Sequence, residues 1–355
     1  MKLSICVPTR NRPAMVEELL TTLTALPDDV VDVEILVGDN STNDETAAVA
    51  ERFPNVAYHR NDGDLGAYGN FNGLVARASG EWVHVVADDD AIHPDYLAGV
   101  VEAMHDPTAV LITGRVGFVG DDAARVEAGH YGRITRMGIE FPDTVQGERM
   151  INLALRDGCP FEFSHTLMRR ETVLMVGGFD RTFRLQGDFD LWLRMLGQGT
   201  ARFVEAYLGE FRVYEGNMLA DKESERAFRV ERTLIWLMSL ARHPDILVPE
   251  VRQALIREVR REVPRIRVFT RVGIGGPLTD GLLSLALLNA EAALRSRGLG
   301  NTLELPGVPL LSEMPRSAVR LLYLVLDEVL GSRVPGRAAA DIGARMGRPT
   351  VSLDR

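Results

Sequence analysis

Between residues 3 and 113, short apolar runs rich in valine and isoleucine alternate with segments whose apolar residues recur at helical spacing. Alternation of this kind dictates βαβ units, because parallel neighbours need a long crossover and a helix usually supplies it. Strands are predicted at 3–7, 33–37, 56–58, 81–86 and 109–113. A helix is predicted from Pro13, with Met15, Val16, Leu19, Leu20 and Leu23 on one face. Further helices are expected at 45–53, 71–78 and 94–104, the first of them capped by Ser41, Thr42 or Asp44. The expected fold class is α/β, a mainly parallel sheet flanked by helices, followed by a helical C-terminal region.

The remainder is less uniform. Residues 114–160 are glycine-rich and read as irregular apart from one helical pattern at 146–155. A regular apolar run at 161–168, a helix at 189–196 and a strand at 201–208 follow. From 221 onward the pattern is helical, at 226–241, 251–261, 282–295 and 318–330, and 331–355 reads as poorly ordered. The predicted division is therefore 1–220 and 221–355, with 114–186 shaping a second binding surface.

A chain of 355 residues, 46% hydrophobic, has enough apolar material for a large core and a smaller addition. A formal net charge of −10 argues against a nucleic-acid partner. Two cysteines, Cys6 and Cys159, give neither a disulfide framework nor a thiolate zinc site. Residues 1–6 run straight into a strand pattern, and the apolar stretch 282–293 is too short to span a bilayer, so a cytoplasmic location is expected. Arg252, Arg257, Arg260, Arg261, Arg265, Arg267 and Arg271 offer a peripheral membrane contact at the inner face. The competing reading is a solvated face balanced by Glu250, Glu258 and Glu262. Leu321, Leu322, Leu324, Val325 and Val329 suit a homodimer face or internal packing equally.

Chemistry concentrates where the predicted strands end. The run Val83-His84-Val85-Val86-Ala87-Asp88-Asp89-Asp90 takes a buried strand directly into three carboxylates. Two unit charges 4 Å apart repel by about 4 kcal/mol at an effective dielectric near 20, so such a cluster calls for water, a cationic side chain or a metal. Oxygen ligands suit Mg²⁺ or Mn²⁺. In a parallel sheet the loops at 8–12, 38–42 and 88–90 share one edge and can meet on one ligand. Asp39 there can accept hydrogen bonds from a base or sugar, or with Asn40 can form an Asx-turn before the next helix. Neither a Gly-x-x-x-x-Gly-Lys-Ser/Thr nor a Gly-x-Gly-x-x-Gly run follows the first strand, which removes support from P-loop and dinucleotide readings.

Four blocks in collinear order, "LSICVPTRNRP", "VEILVGDNSTNDET", "GAYGNFNGLVARASGEWVHVVADDDAIHPDYL" and "GGFD…QGDFDLWLRM", resemble family 2 glycosyltransferases of the Rossmann-like GT-A fold, over about residues 1–214. The variants around Asp39 and Asp88–Asp90 are most similar to bacterial enzymes that add deoxysugars to surface polysaccharides or small molecules. The resemblance implies that Asp39 binds the nucleobase, typically at a uracil- or thymine-like N3–H. It implies that Pro8, Thr9 and Arg12 form a loop over the nucleotide. Asn70 and Asn72 fall beside nucleotide and sugar, or else cap their helix. Asp88 matches the acid near the ribose, Asp89 the principal metal ligand, and Asp90 the neighbouring acid. Mn²⁺ or Mg²⁺ is the implied cofactor.

Asp188 matches the general base of the family's "ED" motif, here preceded by Gly187 instead of an acid. Asp190 is the reserve, and both aspartates are also candidates for N-caps. Tyr214 stands where many relatives carry a histidine that closes over the diphosphate, with Arg212 two residues before it. Tyrosine hydrogen-bonds phosphate but is a poor Mg²⁺ ligand. His165 and Trp192 face the acceptor or pack in the core, and His84 reads as structural.

The function expected from the resemblance is inverting, metal-dependent transfer of a sugar from a UDP- or dTDP-like donor to a saccharide, lipid-linked or small-molecule acceptor. The rivals are a sugar-nucleotide nucleotidyltransferase, which usually has a glycine-rich loop after the first strand, and a non-catalytic nucleotide-sugar binder.

Overall fold

The computed structural model describes residues 1–27, 29–181, 183–214, 222–243 and 245–271. In chain order it runs β1 (Lys2–Thr9), α1 (Pro13–Leu23), β2 (Asp32–Asp39), α2 (Glu45–Ala50), β3 (Val56–Arg60), α3 (Ala67–Arg77) and β4 (Trp82–Val85). It continues with β5 (Ala91–Ile92), α4 (Tyr96–Met104), β6 (Ala109–Gly120), α5 (Ala123–Met137), β7 (Asp143–Gln146) and α6 (Gly147–Asp157). The last elements of this unit are β8 (Thr166–Arg169), α7 (Arg170–Met175), α8 (Gly187–Leu196) and β9 (Thr200–Val213).

β1 is the pivot of the sheet, parallel to β2 on one side and to β4 on the other, with β3 parallel outside β2. Its residues from Leu3 onward are all buried, as a strand covered on both faces requires. α1 covers it with Val16, Leu19, Leu20 and Leu23 buried, the face read from the spacing, while Met15 stays half-buried. Beyond β4 the order is β8-β6-β9-β5, with β7 also on β9. β8 runs antiparallel to both its neighbours, so the sheet is mixed and mostly parallel. The apolar run at 161–168 fixes neither the bounds of a strand nor its direction, which is why β8 and its reversal were not predicted.

Residues 114–160 correct the expectation of an irregular segment. β6 runs on to Gly120, and α5 occupies 123–137. α5 buries only His130, Ile134 and Met137, and Gly129 and Gly132 interrupt its pattern, so too few apolar residues repeat to announce a helix. α3 likewise begins at Ala67, ahead of the expected 71, which puts Asn70 and Asn72 inside the helix and excludes both as caps.

His84 lies wholly buried in β4, its Nε2 2.8 Å from the Ser164 carbonyl and its Nδ1 3.3 Å from the Tyr96 hydroxyl. Burial holds its pKa down at about 3 from an ordinary 6.5. Between those values the unfolded chain binds a proton that the folded chain refuses, so stability falls as pH drops from about 6.5 toward 3. One such group contributes a slope of about 1.4 kcal/mol per pH unit. Urea midpoints between pH 7 and pH 4 should therefore decline less steeply in His84→Gln than in the parent.

The chain divides into two compact units, Met1–Phe228 and Arg229–Arg355. The described helices after β9 are α9 (Lys222–Arg242), whose residues from Arg229 on belong to the second unit, and α10 (Pro249–Arg271), which lies within it. Arg229 pairs with Glu262 at 3.5 Å, and Arg232 lies over the Trp236 ring at 5.1 Å. Arg261 is exposed and pairs with Glu258 and with Glu262, itself buried. The helices predicted at 282–295 and 318–330, and the tail 331–355, lie outside the described residues.

Candidate active site

The loops after β1, β2 and β4 are bound to one another. Thr9 registers with Asp39 across β1 and β2, and the Asn40 N–H donates to the Thr9 carbonyl at 3.0 Å. Asn11 adopts a left-handed conformation, φ 55°, which asparagine tolerates better than most residues. From there its N–H donates to Ser41 Oγ at 2.7 Å and its Oδ1 accepts from the Thr42 N–H at 2.9 Å. The third loop joins through side chains. Thr9 Oγ1 donates to Asp88 Oδ2 at 2.6 Å, and Arg12 Nη1 lies 2.9 Å from Asp88 Oδ1 and 3.0 Å from Asp89 Oδ2. Pro8 is buried inside β1, so the segment free to meet a ligand begins after it.

The three carboxylates do not point at one place. Asp88 is held by Thr9 and Arg12, and burial raises its pKa against their pull. Asp89 accepts at Oδ2 from the Tyr214 hydroxyl, 2.6 Å away, as well as from Arg12. Asp90 turns inward, 5% exposed, and accepts from the Arg212 backbone N–H at 3.0 Å. Burial and the nearby Glu162 raise the Asp90 pKa. Among the described residues no three His, Cys, Asp or Glu side chains gather as a metal cage. Asp88, Asp89 and Asp90, the acids named for the metal, lie in the turn that follows β4: Asp88 meets Thr9 and Arg12, Asp89 meets Arg12 and Tyr214, and Asp90 faces inward. A single hard oxygen donor, Asp89, fits Mg²⁺ or Mn²⁺ when a ligand supplies the remaining oxygens.

Asp39 is fully buried at the other end of this edge. Its Oδ1 accepts from the Ser41 N–H at 2.7 Å, the Asx-turn bond, and its Oδ2 accepts from the Tyr58 hydroxyl at 2.7 Å. A carboxylate has lone pairs beyond those two. Asn61 donates to Asn40 Oδ1 and Asn70 Oδ1, each at 2.9 Å, and Asn70 Nδ2 donates to the Gly38 carbonyl at 2.7 Å. Tyr58 and Asn61 were not singled out in the sequence; their one signal is a place at the end of β3, beside β2. Asn72 belongs elsewhere, bracketing Phe179 through its N–H and carbonyl at 2.8 Å each.

α8 begins at Gly187 with Gln186 as its N-cap, so neither Asp188 nor Asp190 caps it. Asp188 is half-buried, and with burial it helps to raise the Cys159 thiol pKa. Asp190 is 2% exposed and accepts from Arg194 at 2.8 and 2.9 Å. Arg194 also donates to the carbonyls of Val176, at 2.6 Å, and Gly178, at 2.8 Å. Arg194→Ala removes the charge that balances a buried carboxylate and should cost about 3 kcal/mol or more in urea unfolding. His165 is buried with Nδ1 against Glu162 and Nε2 3.1 Å from the Ala91 carbonyl. Trp192 is buried edge-on to Phe161, 5.5 Å between centroids. The structure thus places both His165 and Trp192 in the core, the packing alternative of the two open for each.

Residues 4–176 match the model of Glycosyl transferase family 2. That segment belongs to this family. Among curated relatives it is 34% identical over 103 residues to the abequosyltransferase RfbV of Salmonella typhimurium, covering 28% of this chain and 31% of that one. A GalNAc(5)-diNAcBac-PP-undecaprenol β-1,3-glucosyltransferase of Campylobacter jejuni is 30% identical over 110 residues, 30% of this chain and 35% of that one. An uncharacterized protein of Mycobacterium tuberculosis is 26% identical over 208 residues, 57% of this chain and 64% of that one. The chain thus spans less than two-thirds of these relatives. The structure of S. aureus TarS 1–349 in complex with UDP-GlcNAc shares the fold, with a TM-score of 0.56 at 17% identity over 98% of this chain and 93% of that one.

Beyond the matched segment, the glycine that precedes Asp188 has a steric reason. A Cβ at Gly187 would lie 2.7 Å from the Tyr68 ring, whose hydroxyl accepts from the Gly187 N–H at 2.8 Å. Tyr68 stacks on Phe179 at 5.6 Å, so the ring is fixed where an acid's side chain would start.

Proposed function

We propose that the protein is an inverting glycosyltransferase moving a sugar from a UDP- or dTDP-like donor to a hydroxyl or amine of a saccharide, lipid-linked or small-molecule acceptor. The observation that carries this reading is the convergence of Thr9, Arg12, Asp39, Asp88 and Asp89 on one sheet edge, with Tyr214 bound to Asp89. The relatives named for abequosyl and glucosyl transfer support it.

In this reading Asp39 orients the nucleobase, with Tyr58 and Ser41 fixing its carboxylate. Asp88 meets the ribose, held in place by Thr9. Asp89 would hold Mn²⁺ or Mg²⁺, whose charge offsets that building on the leaving nucleotide. Arg12, Tyr214 and Arg212 supply donors toward the diphosphate. Asp188 takes the proton from the acceptor nucleophile as its oxygen or nitrogen attacks the anomeric carbon opposite the leaving group. Asp190 is assigned to holding Arg194. A cytoplasmic location, where activated sugars are made, suits the reading.

Incubation with UDP-, dTDP-, CDP- and GDP-sugars, Mn²⁺ and a broad acceptor panel tests it. Release of nucleoside diphosphate with one new glycoside of inverted anomeric configuration is expected. Pyrophosphate release from a nucleoside triphosphate and a sugar phosphate, or donor binding without transfer to any acceptor, would overturn it.

A further inference from the structure

The Asp88–Asp89 pair already has a cation. Arg12 Nη1 bridges the two carboxylates at 2.9 and 3.0 Å, and the Asp89 oxygen it meets is the one that also accepts from Tyr214 at 2.6 Å. The donor open to a metal is thus bound twice by the chain's own groups, one of them charged. A guanidinium neutralises two adjacent carboxylates without needing octahedral geometry or surrendered hydration, both of which Mg²⁺ demands.

The exposures give this pairing a direction. The Arg12 side chain is 39% exposed, against 6% for Asp88 and 18% for Asp89. The carboxylates form the floor and the guanidinium lies over them from the solvent side, where an incoming ligand must arrive. The backbone beneath is fixed, since Asn11 is tied to Ser41 and Thr42 and the Arg12 carbonyl accepts from the Val16 N–H at 3.1 Å. Rotation of the Arg12 side chain alone takes the charged partner off Asp89, which still accepts from the neutral Tyr214 hydroxyl. A diphosphate offers that guanidinium a stronger, bidentate partner than two divided carboxylates do.

We infer that Arg12 is a resident counter-cation that excludes the divalent metal from Asp89 until an anionic ligand draws it away. Metal and nucleotide then bind cooperatively, each tightening the other by the same factor. The inference rests on the proposed function only for the ligand being a diphosphate, and its first test uses no nucleotide.

The test is Mn²⁺ binding to the full chain, followed by electron paramagnetic resonance, in the parent and in Arg12→Ala. Without nucleotide, Arg12→Ala should bind Mn²⁺ about tenfold tighter, a difference of about 1.4 kcal/mol. Adding Asp89→Asn to Arg12→Ala should abolish that gain, and adding UDP should narrow the gap between parent and Arg12→Ala. Arg12→Gln, which keeps a hydrogen-bonding side chain, serves where Arg12→Ala does not fold by circular dichroism. Equal Mn²⁺ affinity with and without the arginine, or a gain that survives Asp89→Asn, would overturn the inference even if the protein transfers sugar. A failure of sugar transfer leaves the nucleotide-free comparison fully readable.

Discussion

Asp89→Asn is expected to lower kcat for sugar transfer by about 10³-fold or more, the scale on which a preorganised electrostatic group acts on developing charge. The substitution keeps the volume of the side chain and an oxygen able to accept from Tyr214, so the melting temperature should stay near that of the parent. What it removes is the negative charge that holds a cation beside the leaving diphosphate. Initial rates at saturating donor and Mn²⁺ read the effect. Because Asp88 stays bound to Thr9 and Arg12, the loops should remain in place and nucleotide should still bind, more weakly. A variant that transfers sugar at the parental rate would remove Asp89 from the chemistry altogether.

The second large effect is expected at Asp188. Removal of a general base typically costs about 10² to 10⁴ in rate, so Asp188→Asn should lose kcat on that scale with little change in donor affinity. Asp190→Asn should behave oppositely. Its carboxylate is buried against Arg194, and Arg194 fastens α8 to the carbonyls of Val176 and Gly178. Loss of that charge pair should appear as lower stability and a KM effect through α8, with kcat far less affected. Donor hydrolysis measured beside transfer separates the two, since hydrolysis needs no acceptor to be deprotonated. If Asp190→Asn silences transfer while Asp188→Asn does not, the two assignments are reversed.

The parts of this site visible in the sequence are those fixed by local rules. Apolar runs bounded by polar turns located β1, β2 and β4, and the sheet's parallel start then required their loops to share an edge. Thr9, Arg12, Asp39, Asp88 and Asp89 therefore group together from the sequence alone. What could not be read is side-chain direction and partnership across long sequence separations. Arg12 and Asp88 are 76 residues apart, and no periodicity announces their contact. That Asp90, the acid beside Asp89, faces inward to the Arg212 backbone was likewise not legible. Tyr58 and Asn61 fell in no motif, and Tyr68 lay in the third block with no role of its own, because each acts by holding another residue. α5 stayed hidden for a different reason: a surface helix with three buried side chains leaves little hydrophobic pattern.

The central claim is that the loops after β1, β2 and β4 form one nucleotide-diphosphate site. It is tested most directly by calorimetric titration of UDP, dTDP, CDP and GDP into the full chain and its Asp39→Ala and Asp89→Asn forms, with Mn²⁺ present. One of these nucleotides should bind saturably in equimolar ratio, and each substitution should weaken it by about tenfold or more, as loss of a charge-assisted contact implies. Saturable binding of none of the four, or binding left unchanged by both substitutions, would contradict the account.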